Sequence, residues 1–553
     1  MRSGVARLLR AIEARPSRSA FALGAIVPLA YAPFFVLPLF FIAYGLMMRL
    51  ALLHSATPWR LARLGWLFGF GQFFVGLLWM GEAFLVEADR FLWALPFAVT
   101  LLPAGLGLFS GAAFGLWGWL MTRPQDGESG IFRRVGLRHA ARVQQFIGLA
   151  VLLALAAYLR STVLTGLPWN LPGMVFGSWL VSAQAVALLG LHGLSLLALL
   201  SAALLTDWVL AGRPFTAPRR LVLAFIIPVV LVAFGVARLW VSPAPLVDAA
   251  PVDAASIDAP HVAVIQPNIA QREKWLADKL EAHIEKTLAI TRLALDYAPH
   301  TDVVIWPEVA IPAFIDESEG FGERLRAAIK PHNGKTPYVL TGAVRRDFAA
   351  AGTARAGGAA FYNSAMLWSG QGHLLGRSDK HHLVPFGEYL PLQSTLEALG
   401  LEQLARLRGG YQAGPPHGRL RAARLPLIAP LICYEVIFPH LSAGAPRPAL
   451  LANLTNDGWF GQWHGPHQHL AQARLRAIEQ GVPLIRAANT GISAAFDAHG
   501  RQLDRLDLGT AGSFSLPLPP SLPPTVYSRW GDGLFWLALL MAAAVSLWPV
   551  RRG

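Results

Sequence analysis

The sequence predicts a polytopic α-helical membrane domain of about eight transmembrane helices joined to an extracytoplasmic α/β domain. Three observations carry this. A 553-residue chain with 54% hydrophobic and only 14% charged residues is too apolar for a soluble protein. Apolar runs of spanning length crowd the first 242 positions and recur once near the C-terminus. Between them, short strand-like runs alternate with amphipathic patterns, and this stretch contains every lysine of the chain.

In chain order, the candidate spans are 19–34, 36–53, 64–86, 92–121, 144–164, 178–209, 220–241 and 531–549. The first two are short or broken by proline, and the sixth is long enough to include an interfacial turn. The N-terminus, Met1 to Ser19, is basic and precedes an apolar run, as in a secretory signal; without a small-residue cleavage site it reads as a retained anchor. Arginines cluster on alternate connections: Arg2, Arg7, Arg10, Arg15 and Arg18; Arg60 and Arg63; Arg123, Arg133, Arg134, Arg138 and Arg142; Arg213, Arg219 and Arg220; Arg551 and Arg552. The other connections are poor in basic residues. By the positive-inside rule both termini are cytoplasmic, and the segment between the seventh and eighth spans lies outside. This placement also explains the net charge of +14 as topology signals and excludes nucleic acid as the partner. The expected domains are 1–242, 243–526 and 527–553.

The outer domain opens with a Pro/Ala/Asp linker, Ser242 to Pro260. Buried strands are expected at His261–Gln266, Asp302–Trp306, Tyr338–Val344, Ser364–Trp368, Leu427–Cys433, Leu450–Leu454 and Leu484–Ala488. Helical patterns cover Trp275–Tyr297, Gly322–Ile329 and His467–Gln480.

Two of these runs lead into reactive side chains, and a third reactive segment lies between them in the chain. The lone cysteine, Cys433, closes an apolar strand and precedes Tyr434 and Glu435. Glu308 follows the strand ending in Trp306-Pro307. Lys380 and Glu388 lie among apolar and aromatic residues in Asp379-Lys380-His381-His382-Leu383-Val384-Pro385-Phe386-Gly387-Glu388-Tyr389, where an unpartnered charge is costly. A thiol requires a base or a cation to become nucleophilic; Glu308 supplies the first and Lys380 the second, which gives acyl transfer through a thioester. Lys335, in a turn, reads as solvated. His381, His382, His464, His467 and His469 lack a metal-binding spacing and read as loop and helix-face residues, so no metal is expected.

Trp306-Pro307-Glu308, Asp379-Lys380 with Val384 to Glu388, and Ile432-Cys433-Tyr434-Glu435 resemble the Glu-Lys-Cys pattern of the nitrilase superfamily in order and approximate spacing. Asn453 to Trp459 and Arg486 to Gly491 also resemble that superfamily. A nitrilase-like domain between the last two of the spans resembles one family in particular, the apolipoprotein N-acyltransferases of bacterial inner membranes. The resemblance implies an α-β-β-α sandwich facing the periplasm, a phospholipid acyl donor such as phosphatidylethanolamine used at sn-1, and a diacylated apolipoprotein acceptor. It also implies Glu388 as a support for Lys380 and Glu308, and Tyr434 and Glu435 as residues beside the nucleophile. Trp275, Asn363 and Tyr389 are expected to bind substrate, although Trp275 also reads as an ordinary aromatic on an amphipathic helix and Asn363 as a turn cap. No cofactor is expected, and the chain is expected to act as a monomer.

The apolar segment Leu383–Leu407 suits a lid that dips into the membrane interface, or one packed on its own core. Two other readings stay open: a membrane-tethered nitrilase-type amidase with water as acceptor, and a transporter or scaffold with an inactive nitrilase domain.

Overall fold

The computed structural model describes residues 2–54, 57–122, 140–210, 218–241, 259–329, 331, 335–348, 359–398, 401–405 and 410–548. Arg123, Arg133, Arg134, Arg138, Arg213, Arg551 and Arg552, most of the 242–260 linker and parts of 383–407 lie outside them. The chain forms two compact units, one of Met1–Phe84, Asp89–Pro243 and Arg529–Gly553, the other of Leu85–Ala88 and Ala244–Ser528.

The first unit is helical. Among the described residues, four helices are long and apolar enough to cross a membrane: Ala88–Leu120, Arg142–Thr165, Val186–Leu210 and Arg220–Val241. A fifth is counted if Pro58–Gly76 and Leu78–Leu85, bent by 55° at their junction, make one span. Leu37–Leu53 and Gly533–Leu547 are apolar but only 17 and 15 residues long. The run at 19–34 becomes helix Pro16–Ile26 with a short 3-10 turn, Val27–Ala30. Helix Pro218–Val241 exposes Val222, Val229, Val232 and Val236, a surface suited to lipid rather than water. Small residues bring backbones together: a Cβ added at Gly24 would lie 1.9 Å from the Phe68 carbonyl oxygen, and one at Gly71 2.2 Å from that of Phe21.

The second unit is an α/β domain with two sheets. One has the order β11-β1-β2-β3-β4-β5, built from β1 (His261–Gln266), β2 (Thr301–Ile305), β3 (Tyr338–Asp347), β4 (Ala360–Trp368), β5 (Leu374–Asp379) and β11 (Gly512–Pro517). The other has the order β10-β9-β8-β7-β6, built from β6 (Ile428–Ile432), β7 (Leu450–Thr455), β8 (Leu484–Ala488), β9 (Ser493–Phe496) and β10 (Gln502–Leu506). The sheets face each other through β1 against β8, β3 against β7 and β4 against β6. Helix Leu280–Tyr297 packs on β1 and β11, and helix His464–Gln480 on β8.

Side-chain alternation explains why the strands read as continuous apolar runs. On β1, Ala263 and Ile265 pack with Ile284 and Leu288 of the covering helix. Gln266, on the opposite face, accepts from the Ser493 amide (3.1 Å) and hydroxyl (2.6 Å) of the other sheet. Both faces are therefore buried. Each aliphatic side chain withdrawn from water in this way contributes roughly 1.5–3 kcal/mol.

The seven strands expected from sequence all form. Strands β5, β9, β10 and β11 were not expected; β5 and β10 carry alternating exposed or half-buried residues and lack a long apolar run. The helix expected from Trp275 begins later, at Leu280, and Trp275 lies in the turn before it.

Candidate active site

Each of the three reactive side chains sits one to three residues beyond the end of a strand. Cys433 follows β6 and opens a 3-10 turn, Cys433–Ile437, with a φ of +52°. A left-handed backbone at a non-glycine residue costs of order 1–3 kcal/mol and persists only where its surroundings enforce it. Here they do. The Glu435 carboxylate accepts hydrogen bonds from the amides of Ile432 (2.8 Å), His381 (2.8 Å) and His382 (3.1 Å), tying the cysteine turn to the segment after β5. The Cys433 carbonyl accepts from Asn453 Nδ2 (3.4 Å) and His469 Nε2 (3.2 Å).

Glu308 stands three residues beyond β2 and is 7% exposed. Lys380 directly follows β5 and is 1% exposed. Its Nζ lies 3.0 Å and 2.9 Å from the two oxygens of Glu388. Asn363, on β4, donates from Nδ2 to Glu308 Oε1 (2.8 Å) and to Glu388 Oε1 (3.0 Å), so one amide bridges both carboxylates. Asn363 also accepts the Lys380 amide on its own carbonyl at 2.7 Å. Behind them Arg345 holds Asp379 through two contacts of 2.8 and 2.6 Å, which secures the end of β5.

Burial and charge set the protonation states. Burial raises the Glu308 carboxyl above its ordinary value; Lys380 opposes this and Glu388 adds to it. Burial alone would lower Lys380, but the negative charges of Glu388 and Glu308 outweigh it and hold the ammonium charged. The Cys433 thiol is pushed far up, by burial first and by Glu308 next, against the pull of Lys380. The resting sulfur is therefore a thiol under the direct influence of a carboxylate and an ammonium.

Residues 261–515 match the carbon-nitrogen hydrolase family model, and residues 23–204 match the apolipoprotein N-acyltransferase N-terminal domain. An apolipoprotein N-acyltransferase from Rhodopseudomonas palustris is 37% identical over 545 residues, 96% of this chain and 94% of its own. Another from Bradyrhizobium diazoefficiens is 39% identical, covering 96% and 93%, and one from Brucella melitensis is 36% identical, covering 96% of both. The chain belongs to the apolipoprotein N-acyltransferase family. It is accordingly an acyltransferase of lipoprotein maturation, with a nitrilase-like domain and a set of apolar membrane helices.

The remaining residues singled out in the sequence have mixed surroundings. Tyr434 is buried, its ring 5.0 Å from Phe438 and 5.7 Å from His382. Tyr389 is half-buried, and Trp275 is 39% exposed. Lys335 is exposed. Among the described residues no three His, Cys, Asp or Glu side chains gather as metal ligands would.

Sequence reading missed a second buried network behind the cysteine. His469, on the face of helix His464–Gln480, is fully buried. Its Nε2 carries the hydrogen given to the Cys433 carbonyl, since a carbonyl only accepts, while Nδ1 lies 3.0 Å from Asp457 Oδ1. Arg486 Nη2 contacts Asp457 at 2.5 Å, and Arg486 also bonds Asn453. The available signal was an arginine inside the apolar strand Leu484–Ala488, a position where a charge must have a partner. Lys274, 1% exposed beside Trp275, was also overlooked; its Nζ donates to the Glu308 carbonyl at 3.1 Å.

Proposed function

We propose that the chain transfers an acyl group from the sn-1 position of a phospholipid, such as phosphatidylethanolamine, to the N-terminal amine of a diacylglyceryl-cysteine lipoprotein, through a thioester on Cys433. Glu308 accepts the Sγ proton as sulfur attacks the ester carbonyl, and Lys380 faces the developing oxyanion. The carbon–oxygen bond breaks, Glu308 returns the proton to the departing lysophospholipid alcohol, and the acyl group stays on sulfur. In the second half, the lipoprotein amine attacks the thioester, Glu308 takes the amine proton, the carbon–sulfur bond breaks, and the proton restores the thiol. This is a ping-pong sequence.

One observation carries the reading: the lone buried thiol is subject to the charges of both Glu308 and Lys380, which Asn363 and Glu388 lock into one network. A base with a raised pKa is matched to taking and returning a proton near neutrality. The high pKa of the thiol makes proton removal part of the attack rather than a prior step.

The wider setting of the proposal is a monomer in the bacterial inner membrane, with about eight spans, both termini cytoplasmic and the nitrilase-like domain periplasmic. Glu388 supports Lys380 and Glu308; Tyr434 and Glu435 support the cysteine turn; Trp275, Tyr389 and Asn363 line the way to substrate.

The test uses purified full-length protein, phospholipid labelled in its sn-1 chain and a diacylated lipopeptide. Labelled triacylated peptide and a hydroxylamine-sensitive acyl-enzyme are expected, both lost in Cys433→Ala. Free fatty acid as the main product would point to an amidase-type hydrolase instead, and transfer by Cys433→Ala would defeat the proposal.

A further inference from the structure

Lys274 is a buried cation beside Glu308 that this mechanism leaves without a role. It sits in the turn between β1 and helix Leu280–Tyr297, and its side chain runs inward to the Glu308 carbonyl oxygen. The turn is anchored from below. Gln271 Oε1 accepts from Asn456 Nδ2 (2.7 Å), Asn456 Oδ1 accepts from Asn489 Nδ2 (3.1 Å), and Asn489 Oδ1 accepts the Ile269 amide (3.0 Å). Lys274 is thus a fixed charge, held over the peptide that carries the general base.

The groups facing it are few. Glu308 lies beyond β2, Cys433 beyond β6, and His283 on the following helix. Its neighbour Glu273 is turned outward to Lys279 at 2.9 Å. Lys380, Glu388 and the buried phenol of Tyr411 also face Glu308.

Charge balance indicates what Lys274 does. The carboxylates of Glu308 and Glu388 and the ammoniums of Lys380 and Lys274 sum to zero beside a neutral thiol, while the Glu435 carboxylate is held apart by three backbone amides. Moving the thiol proton to Glu308 exchanges a carboxylate for a thiolate and leaves the sum at zero. Without Lys274 both states of the transfer keep an uncompensated negative charge, which a low-dielectric interior penalises, and Glu308 loses one of the cations that hold it ionised as the base.

We propose that Lys274 is a second positioning cation of the site, holding the Glu308 peptide in register and supplying the positive charge that balances Glu308 and Cys433 during proton transfer. This rests on the thioester reading above. Burial lowers the ammonium of Lys274 to about 8, with Glu308 resisting the fall, so its charge is present at neutrality and lost as the pH rises through that value.

The experiment measures single-turnover acylation of the full-length protein by labelled phospholipid between pH 6 and 10, in wild type, Lys274→Met and Lys274→Arg. Wild type should lose acylation rate above about pH 8, the reverse of what simple thiol ionisation produces. Lys274→Met should acylate on the order of 10- to 100-fold more slowly at neutral pH, without that alkaline fall. Lys274→Arg, charged throughout the range, should recover much of the rate and carry it to higher pH. Wild-type rates in Lys274→Met would overturn the proposal, as would an unchanged alkaline fall in either variant. Should neither variant fold, a wild-type rate that keeps rising past pH 8 would overturn it and a fall there would support it. Cys433→Ala is the control for the underlying reading: acyl-enzyme surviving in it would defeat the thioester itself, a result that no Lys274 variant can mimic.

Discussion

Gly342→Ala tests the placement of Glu308 without touching a reacting group. Gly342 lies on β3, where its amide donates to the Pro307 carbonyl at 3.1 Å and its carbonyl accepts the Ala310 amide at 3.3 Å. A Cβ at this position would lie 2.5 Å from the Glu308 Cα, 2.8 Å from the Val309 nitrogen and 3.0 Å from the Pro307 oxygen. All three are backbone atoms, so no side chain can swing aside. Ordinary contact begins at 3.4 Å, and the difference, 3.4 − 2.5 = 0.9 Å, is the displacement to be shared between β3 and the Glu308 peptide. A displacement of about 1 Å in a catalytic group costs on the order of 10²-fold in rate. Overpacking should also lower stability by about 1–3 kcal/mol. The assays are kcat for labelled acyl transfer and thermal unfolding of the detergent-purified protein. A variant that unfolds a few degrees early while retaining wild-type kcat would refute the argument that the position of the Glu308 backbone limits the chemistry.

Three further outcomes follow from the same geometry. Glu388→Gln removes the counterion of a Lys380 that is 1% exposed, and should cost about 3–5 kcal/mol of stability with near-complete loss of acyl transfer; denaturant titration alongside activity checks both. As the proposed base, Glu308 works only when ionised, and burial raises its pKa, so kcat/KM should fall with decreasing pH through a midpoint above the ordinary value of 4.5, and a midpoint at or below it would contradict the role. Burial opposes ionisation of Asp457, but Arg486 and His469 prevail and hold its folded carboxyl far below the ordinary 3.8; its stabilisation is therefore present above that value and lost as the pH falls beneath it. Unfolding temperatures measured from pH 5 to pH 3 should drop more steeply in wild type than in Asp457→Asn.

The strands of the α/β domain were legible in the sequence because those buried on both faces are apolar along nearly their whole length, as in Ile428–Ile432 and, Arg486 apart, Leu484–Ala488. β5 was not legible, although it delivers Lys380, because Leu374–Asp379 alternates exposed and half-buried positions and includes Gly376 and Arg377. Trp275 attracted attention as an aromatic in a familiar motif, whereas the neighbouring Lys274 is the one that reaches Glu308. Periodicity has no signal for which of two adjacent turn residues points inward, since that depends on where the turn is anchored.

The sequence by itself marked Glu308, Lys380 and Cys433 as the candidate carboxylate, cation and thiol, the strands that lead to Glu308 and Cys433, and the apolar runs of the helical unit. Those follow from local chemistry: strand ends, spacing and hydrophobic length. Only the tertiary structure decided that one asparagine amide joins two carboxylates and that a histidine and a buried ion pair brace the cysteine from behind. It also decided that the thiol rests protonated, because a pKa is set by burial and by charges brought together from distant parts of the chain.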